Sequence, residues 1–200
     1  TLSDVERLQH LTEDLLLLAR LDTHHQRPHQ PVDLADVVAS ATLAIRRDDV
    51  TMTTIGVDRP AVVSGDRDQL HRMVRNLIQN AEEHADQHIT LSVTDDHDTV
   101  RLAVADDGPG IPAAQRETAF ERFVRLDTAR TRDGGGTGLG LAIVHDVIAG
   151  HHGRVTITDT DPHGATIIVE LPHSLTRRTD APVEPDARPA TRPARAPRST

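Results

Sequence analysis

Apolar residues recur at intervals of three and four from Leu70 through Met73, Val74, Leu77 and Ile78 to Ala81. They then fall on every second position at Ile89, Leu91 and Val93, and again at Val100, Leu102 and Val104. The first spacing is that of one helix face and the second that of one strand face, so helix and sheet must share a core. That core is aliphatic by necessity: 36% of the 200 residues are hydrophobic, Phe120 and Phe123 are the only aromatics, and Trp and Tyr are absent. A chain of this length has room for one compact domain with short appendages.

Composition also removes chemistry. There is no Cys, which excludes disulfides, thiolate nucleophiles and Cys-ligated zinc. All 22 basic residues are Arg, so a P-loop lysine, a Schiff-base lysine and the strand lysine of protein kinases are excluded too. The net charge of -9 argues against bulk nucleic-acid binding. No apolar run approaches the roughly 20 residues of a membrane span. The chain opens at Thr1 without Met, and the expectation is a fragment whose missing part could hold a membrane anchor.

Residues 1–22 read as an amphipathic helix. Leu8, Leu11, Leu15 and Leu18 form its stripe, widened by Leu2, Val5, Leu16 and Ala19, and Ser3 with Glu6 makes a capping box. A stripe this sharp asks for a bundle neighbour or a second chain. Residues 23–31 read as a linker carrying His24, His25 and His29, of which His24 and His25 are solvated loop histidines rather than metal ligands. A single domain of helices and strands then spans residues 32–173. Asp33 caps a helix over 34–45, a strand follows over 51–57, and Asp66 caps a helix running through His84. The two alternating strands meet at a turn over 95–98. An irregular stretch over 106–136 contains a helical piece at 113–123. An apolar helix over 139–149 and strands over 155–158 and 165–171 complete the domain. Residues 174–200, rich in Pro and Arg, should be disordered.

Three islands carry chemistry. Asn76 and Asn80 in Asn76-Leu77-Ile78-Gln79-Asn80 lie one turn apart, so both amides share a face at the edge of the apolar stripe. Amide oxygens there suit Mg²⁺, which keeps waters and takes phosphates as further ligands; surface Asn residues are the plain alternative. Asp106-Asp107-Gly108-Pro109-Gly110-Ile111-Pro112 follows a strand directly. A carboxylate at a strand end can accept from an exocyclic amine, selecting adenine over guanine, and the glycines let backbone approach a flat ring; an ordinary Asp-Gly turn is the alternative. Gly134-Gly135-Gly136-Thr137-Gly138-Leu139-Gly140 opens a helix, whose unpaired N–H groups attract anions; a flexible hinge is the alternative. Its spacing is neither a dinucleotide fingerprint nor a Walker A.

In this order the islands resemble the N, G1 and G2 boxes of sensor histidine kinases, within the wider group of topoisomerase, heat-shock chaperone and mismatch-repair ATPases. Phe120-Glu121-Arg122-Phe123, continued by Val124-Arg125, is similar to that family's F box. The resemblance implies an α+β two-layer sandwich of the Bergerat type, a mixed sheet covered by helices on one face. It implies that residues 1–22 are the second helix of a dimerisation and phosphoacceptor hairpin whose first helix lies outside this chain. His10 lacks the acceptor context, so this chain alone should not phosphorylate itself.

By the same resemblance the cofactors are ATP and Mg²⁺. Asn80 would hold the metal, with Asn76 supporting that face, and Asp106 would accept from adenine. Gly108, Gly110 and Ile111 would shape the base pocket. Gly136, Thr137, Gly138, Leu139 and Gly140 would wrap the phosphates, and Arg122, Arg125 and Arg132 would counter their charge. ATPase relatives carry a water-activating Glu where this chain has Asn76, so hydrolysis should be slow and the γ-phosphoryl kept for a His. One departure is Glu83, with Glu82 beside it, where the family often has Lys or Arg; His84 and Ala85 fit. The implied partners are a response regulator and a second copy of the chain, with no nucleic acid. The implied location is the cytoplasmic portion of a protein held in the cell membrane by upstream segments. An anti-sigma-factor-type serine kinase and a non-catalytic nucleotide-sensing module are the competing readings.

Overall fold

The computed structural model describes residues 29–43, 49–96, 98–124 and 138–174. The expected helix over 1–22, residues 23–28 of the linker, Gly134 to Thr137 and residues 175–200 of the tail lie outside the described residues. Strands are β1 (Gln30–Asp33), β2 (Thr51–Ile55), β3 (Val62–Gly65), β4 (His88–Asp95), β5 (Thr99–Asp106), β6 (Arg154–Asp159) and β7 (Ala165–Pro172). Helices are α1 (Leu34–Thr42), α2 (Arg67–His84) and α3 (Gly140–Gly150).

Five strands form a mixed sheet in the order β2-β4-β5-β7-β6. Its β2–β4 pair is parallel and its other pairs are antiparallel. Registration lines up the alternating apolar residues: Leu91 faces Val104, Val104 faces Ile167, and Ile167 faces Ile157. That row is buried and joins the stripes of α1, α2 and α3 in one core. The opposite face carries Thr90, Ser92, Arg101 and Glu170, the last two paired at 2.6 Å. A two-layer sandwich with helices on one face is therefore the architecture, and no described helix is long and apolar enough to cross a membrane.

Capping worked as the sequence indicates. Asp33 accepts from Ala35 N–H at 3.0 Å and also from Ala61 N–H at 3.0 Å, while Asp66 accepts from Asp68 N–H at 2.9 Å. Three details differ. β1 begins at Gln30, inside the stretch read as linker, because its backbone pairs with β3, itself unforeseen. Helix α1 ends at Thr42 rather than 45. The piece at 113–123 is two separate 3₁₀ turns, Ala113–Gln115 and Thr118–Phe120. The Thr118 hydroxyl donates to the Gln115 carbonyl at 3.1 Å, a local bond that competes with helix continuation.

One buried histidine ties the helices to the small sheet. His151 caps α3, is 1% exposed, and stacks on His29 with centroids 4.7 Å apart. Its Nδ1 donates to the Val147 carbonyl at 2.7 Å, and Nε2 accepts from Asp66 N–H at 3.1 Å. Acceptance at Nε2 requires the neutral ring, and burial, aided by His29, holds its pKa below 6.5 against the pull of the Val147 carbonyl and Asp66.

Candidate functional site

Alternation along β5 places Val100, Leu102 and Val104 in the core, and the next residue in phase is Asp106, 4% exposed. Its Oδ1 accepts from Gly108 N–H at 3.0 Å and from Ala165 N–H at 3.3 Å. Among the described residues no donor reaches Oδ2, and it is not a sealed atom either. The carboxylate is thus fixed by one oxygen and offers the other. Burial pushes its carboxyl above the ordinary 3.8, and the two backbone N–H groups oppose that rise.

Asp107, on the other side of the strand, does a different job. Its Oδ1 accepts from the backbone N–H groups of Asp86 at 2.9 Å, Gln87 at 3.0 Å and His88 at 3.0 Å. Burial works slightly against its charge, and the donors at His88, Gln87 and Asp86 outweigh it, holding the carboxyl below the ordinary range. The end of α2 is thereby tied to the end of β5. Gly108 packs so closely that a Cβ would lie 2.2 Å from the His84 carbonyl oxygen, whereas Gly110 supplies a left-handed turn at φ +75. Ile111 is half-buried against the core.

The two Asn residues lie on α2, which packs on both β5 and α3. Asn76 faces the start of α3, where a Cβ on Gly140 would sit 3.7 Å from its Oδ1. Its Nδ2 is buried with no hydrogen-bond partner among the described residues. Such a donor is costly to leave unmatched, and a bound acceptor would satisfy it. Asn80 is half-buried one turn further along. Glu83 bonds Gln79 at 3.1 Å along the exposed side of α2, so its carboxylate is engaged within the helix surface.

Of the glycine loop, Gly138 adopts φ +70 and its carbonyl accepts from Phe123 N–H at 2.8 Å. Leu139 is fully buried, so it serves the core with its side chain and leaves only backbone for a ligand. Arg122 pairs with Asp146 on α3 at 3.0 Å. Arg125, Arg132, Gly136 and Thr137 lie outside the described residues.

Sequence reasoning placed a strand over 165–171 but missed how closely the turn before it approaches Asp106. Gly164, at φ +121, lets the turn before β7 pass so close that a Cβ would lie 1.9 Å from the Asp106 carbonyl oxygen. That approach delivers the Ala165 N–H. A glycine directly before the alternating run of Ala165, Ile167, Val169 and Leu171 was the available signal. The described acids and histidines form no cluster able to hold a metal by themselves. An ion at Asn80 would accordingly take one amide oxygen from the protein and its other ligands from phosphate and water, a set that fits Mg²⁺.

Comparison with known proteins agrees with this fold. Residues 65–175 match the family described as histidine kinase-, DNA gyrase B-, and HSP90-like ATPase. The chain is 41% identical over 176 residues to the "Probable sensor histidine kinase TcrY" of Mycobacterium tuberculosis, covering 85% of this chain and 36% of that protein. The solved mycobacterial sensor histidine kinase MprB superposes with a TM-score of 0.64 at 32% identity, covering 73% of this chain and 98% of that one. Full-length ShkA, solved in complex with AMPPNP, gives a TM-score of 0.72 at 26% identity, covering 86% and 37%. The chain spans little more than a third of the curated relatives' own length.

Proposed function

The chain belongs to the histidine kinase-, DNA gyrase B-, and HSP90-like ATPase family, and on that premise we propose that it is the ATP-binding catalytic part of a sensor histidine kinase. In this reading it transfers the γ-phosphoryl of ATP to a His on a helix outside this chain, for relay to an Asp of a response regulator. The observation that carries it is Asp106: a buried carboxylate pinned through Oδ1 with Oδ2 left to accept from a base amine.

Asp106 would orient the base, with Gly108 and Gly110 shaping the wall. Asn76 would donate its unmatched Nδ2 hydrogens to a phosphate oxygen, and Asn80 would supply an amide oxygen to Mg²⁺. Bound Mg²⁺ would draw off negative charge from the phosphate oxygens. The start of α3 would add backbone N–H groups and its positive dipole end. Arg122, Arg125 and Arg132 would neutralise charge on the transferring group; Arg122 would exchange Asp146 for phosphate to do so. Positioning and electrostatics are what phosphoryl transfer asks of a protein. Dimerisation through residues 1–22, and attachment of the whole protein to a membrane through upstream segments, belong to the same reading.

Equilibrium binding of a non-hydrolysable ATP analogue tests it. Binding should be tight with Mg²⁺ and much weaker without it, and Asn80→Ala should remove most of that difference. No binding at millimolar nucleotide would overturn the reading. Asn76 cannot act as a base, so basal hydrolysis should be slow. Asn76→Glu places a carboxylate one turn before Asn80 and should raise phosphate release from ATP severalfold; unchanged release would count against the assignment of this helix face.

A further inference from the structure

The loop after β5 that walls the base pocket contains two Gly and two Pro; backbone meets its Pro112 carbonyl, and side chains meet those of Gly108 and Ile111. Arg116 Nε donates to the Ile111 carbonyl at 3.0 Å. His163 Nδ1 donates to the Gly108 carbonyl at 3.3 Å. The far nitrogen of Arg116 then reaches the carboxylate of Asp159, the last residue of β6. Asp159 is registered opposite Ala165 of β7, whose N–H donates to Asp106. The contacts therefore close a ring: pocket loop, Arg116, Asp159, the β6–β7 pair, Ala165 and back to Asp106.

We propose that Arg116 is a positioning residue of the nucleotide site, bracing the pocket loop against the β6–β7 turn so that the base cavity is formed before ligand arrives. This rests on the reading of Asp106 as the base acceptor. An isolated surface ion pair would contribute little. Here the Arg116 side chain is only 23% exposed and uses two separate nitrogens on two separate chain segments. That double use depends on the rigid guanidinium fork, which a lysine ammonium lacks. Ordering a glycine-containing loop in advance spares the ligand that cost, and apparent affinity scales with the fraction of molecules already competent.

The test compares wild type, Arg116→Ala, Arg116→Lys and Asp159→Ala, with ADP and GDP titrated in the presence of Mg²⁺. Arg116→Ala should weaken ADP about tenfold while leaving the weaker GDP binding nearly unchanged, so base preference shrinks by the same factor. Arg116→Lys should recover only part of the loss, and Asp159→Ala should show a smaller loss in the same direction. Amide exchange at Gly108, Gly110 and Ile111 should quicken in Arg116→Ala without nucleotide present. Equal loss for ADP and GDP would mark Arg116 as merely structural and overturn the proposal. Normal ADP binding by Arg116→Ala would also overturn it, with the nucleotide site itself intact. Failure of wild type to bind ADP would overturn the nucleotide reading and the brace together.

Discussion

Asp106→Asn should lower affinity for an ATP analogue about a hundredfold while leaving the fold in place. The two backbone donors at Gly108 and Ala165 demand an oxygen at the Oδ1 position. An Asn amide that satisfies them must put its NH₂ where Oδ2 stood, opposing an incoming amine with a second donor. A lost charge-assisted bond plus an unmatched buried donor amounts to about 2–3 kcal/mol, hence the factor of a hundred. The fold is spared because burial already disfavours the ionised carboxyl, which is why its pKa stands above 3.8. The same shift gives the pH arm its sign. Acidification protonates Asp106 earlier than an exposed carboxylate, so wild-type affinity should begin to fall above the ordinary carboxyl range, and the variant should lack that step. Calorimetric titration is the suitable readout, since the chain has no Trp or Tyr to report by fluorescence. Affinity within threefold of wild type would remove Asp106 from the site.

The largest loss of stability should come from His151→Ala, at about 3 kcal/mol and roughly 10 °C in melting midpoint for a domain of this size. The substitution opens a cavity against His29, strands the buried Asp66 N–H, and leaves the Val147 carbonyl with only the backbone N–H of residue 151. Because the folded-state pKa lies below 6.5, the unfolded chain takes up the proton first as pH falls. Wild-type stability should therefore decline as pH drops below about 6.5, levelling only once the folded form protonates too, and the variant should show a shallower slope there. Scanning calorimetry between pH 7.5 and about 5 makes the comparison. An identical slope in both proteins would mean that another group titrates.

Asp106 was legible because it falls in phase. Continuing Val100, Leu102 and Val104 by two places puts a carboxylate on the core side of β5, opposite Ile89. The stripe of α2 likewise sets Asn76 and Asn80 beside its buried edge. Contacts made across the chain were not legible. Gln30-Pro31-Val32-Asp33 has no alternation and contains a Pro, and it is a strand only because Val62-Val63-Ser64-Gly65 lies alongside. Nothing near His151 announces that its ring will meet the cap of a helix 85 positions earlier in the chain. The Arg116 brace is hidden for the same reason: its two partners lie five residues before it and 43 after it.

Two neighbouring acids, Asp106 and Asp107, stand back to back across one strand, one facing the core and the other gripping the start of β4. Inserting or deleting a single residue within β5 would trade their places, turning the gripping acid inward and the inward acid out. Variation in length can be absorbed at the solvent-facing bend between β4 and β5, but not in the strand itself, where spacing and purpose are the same thing.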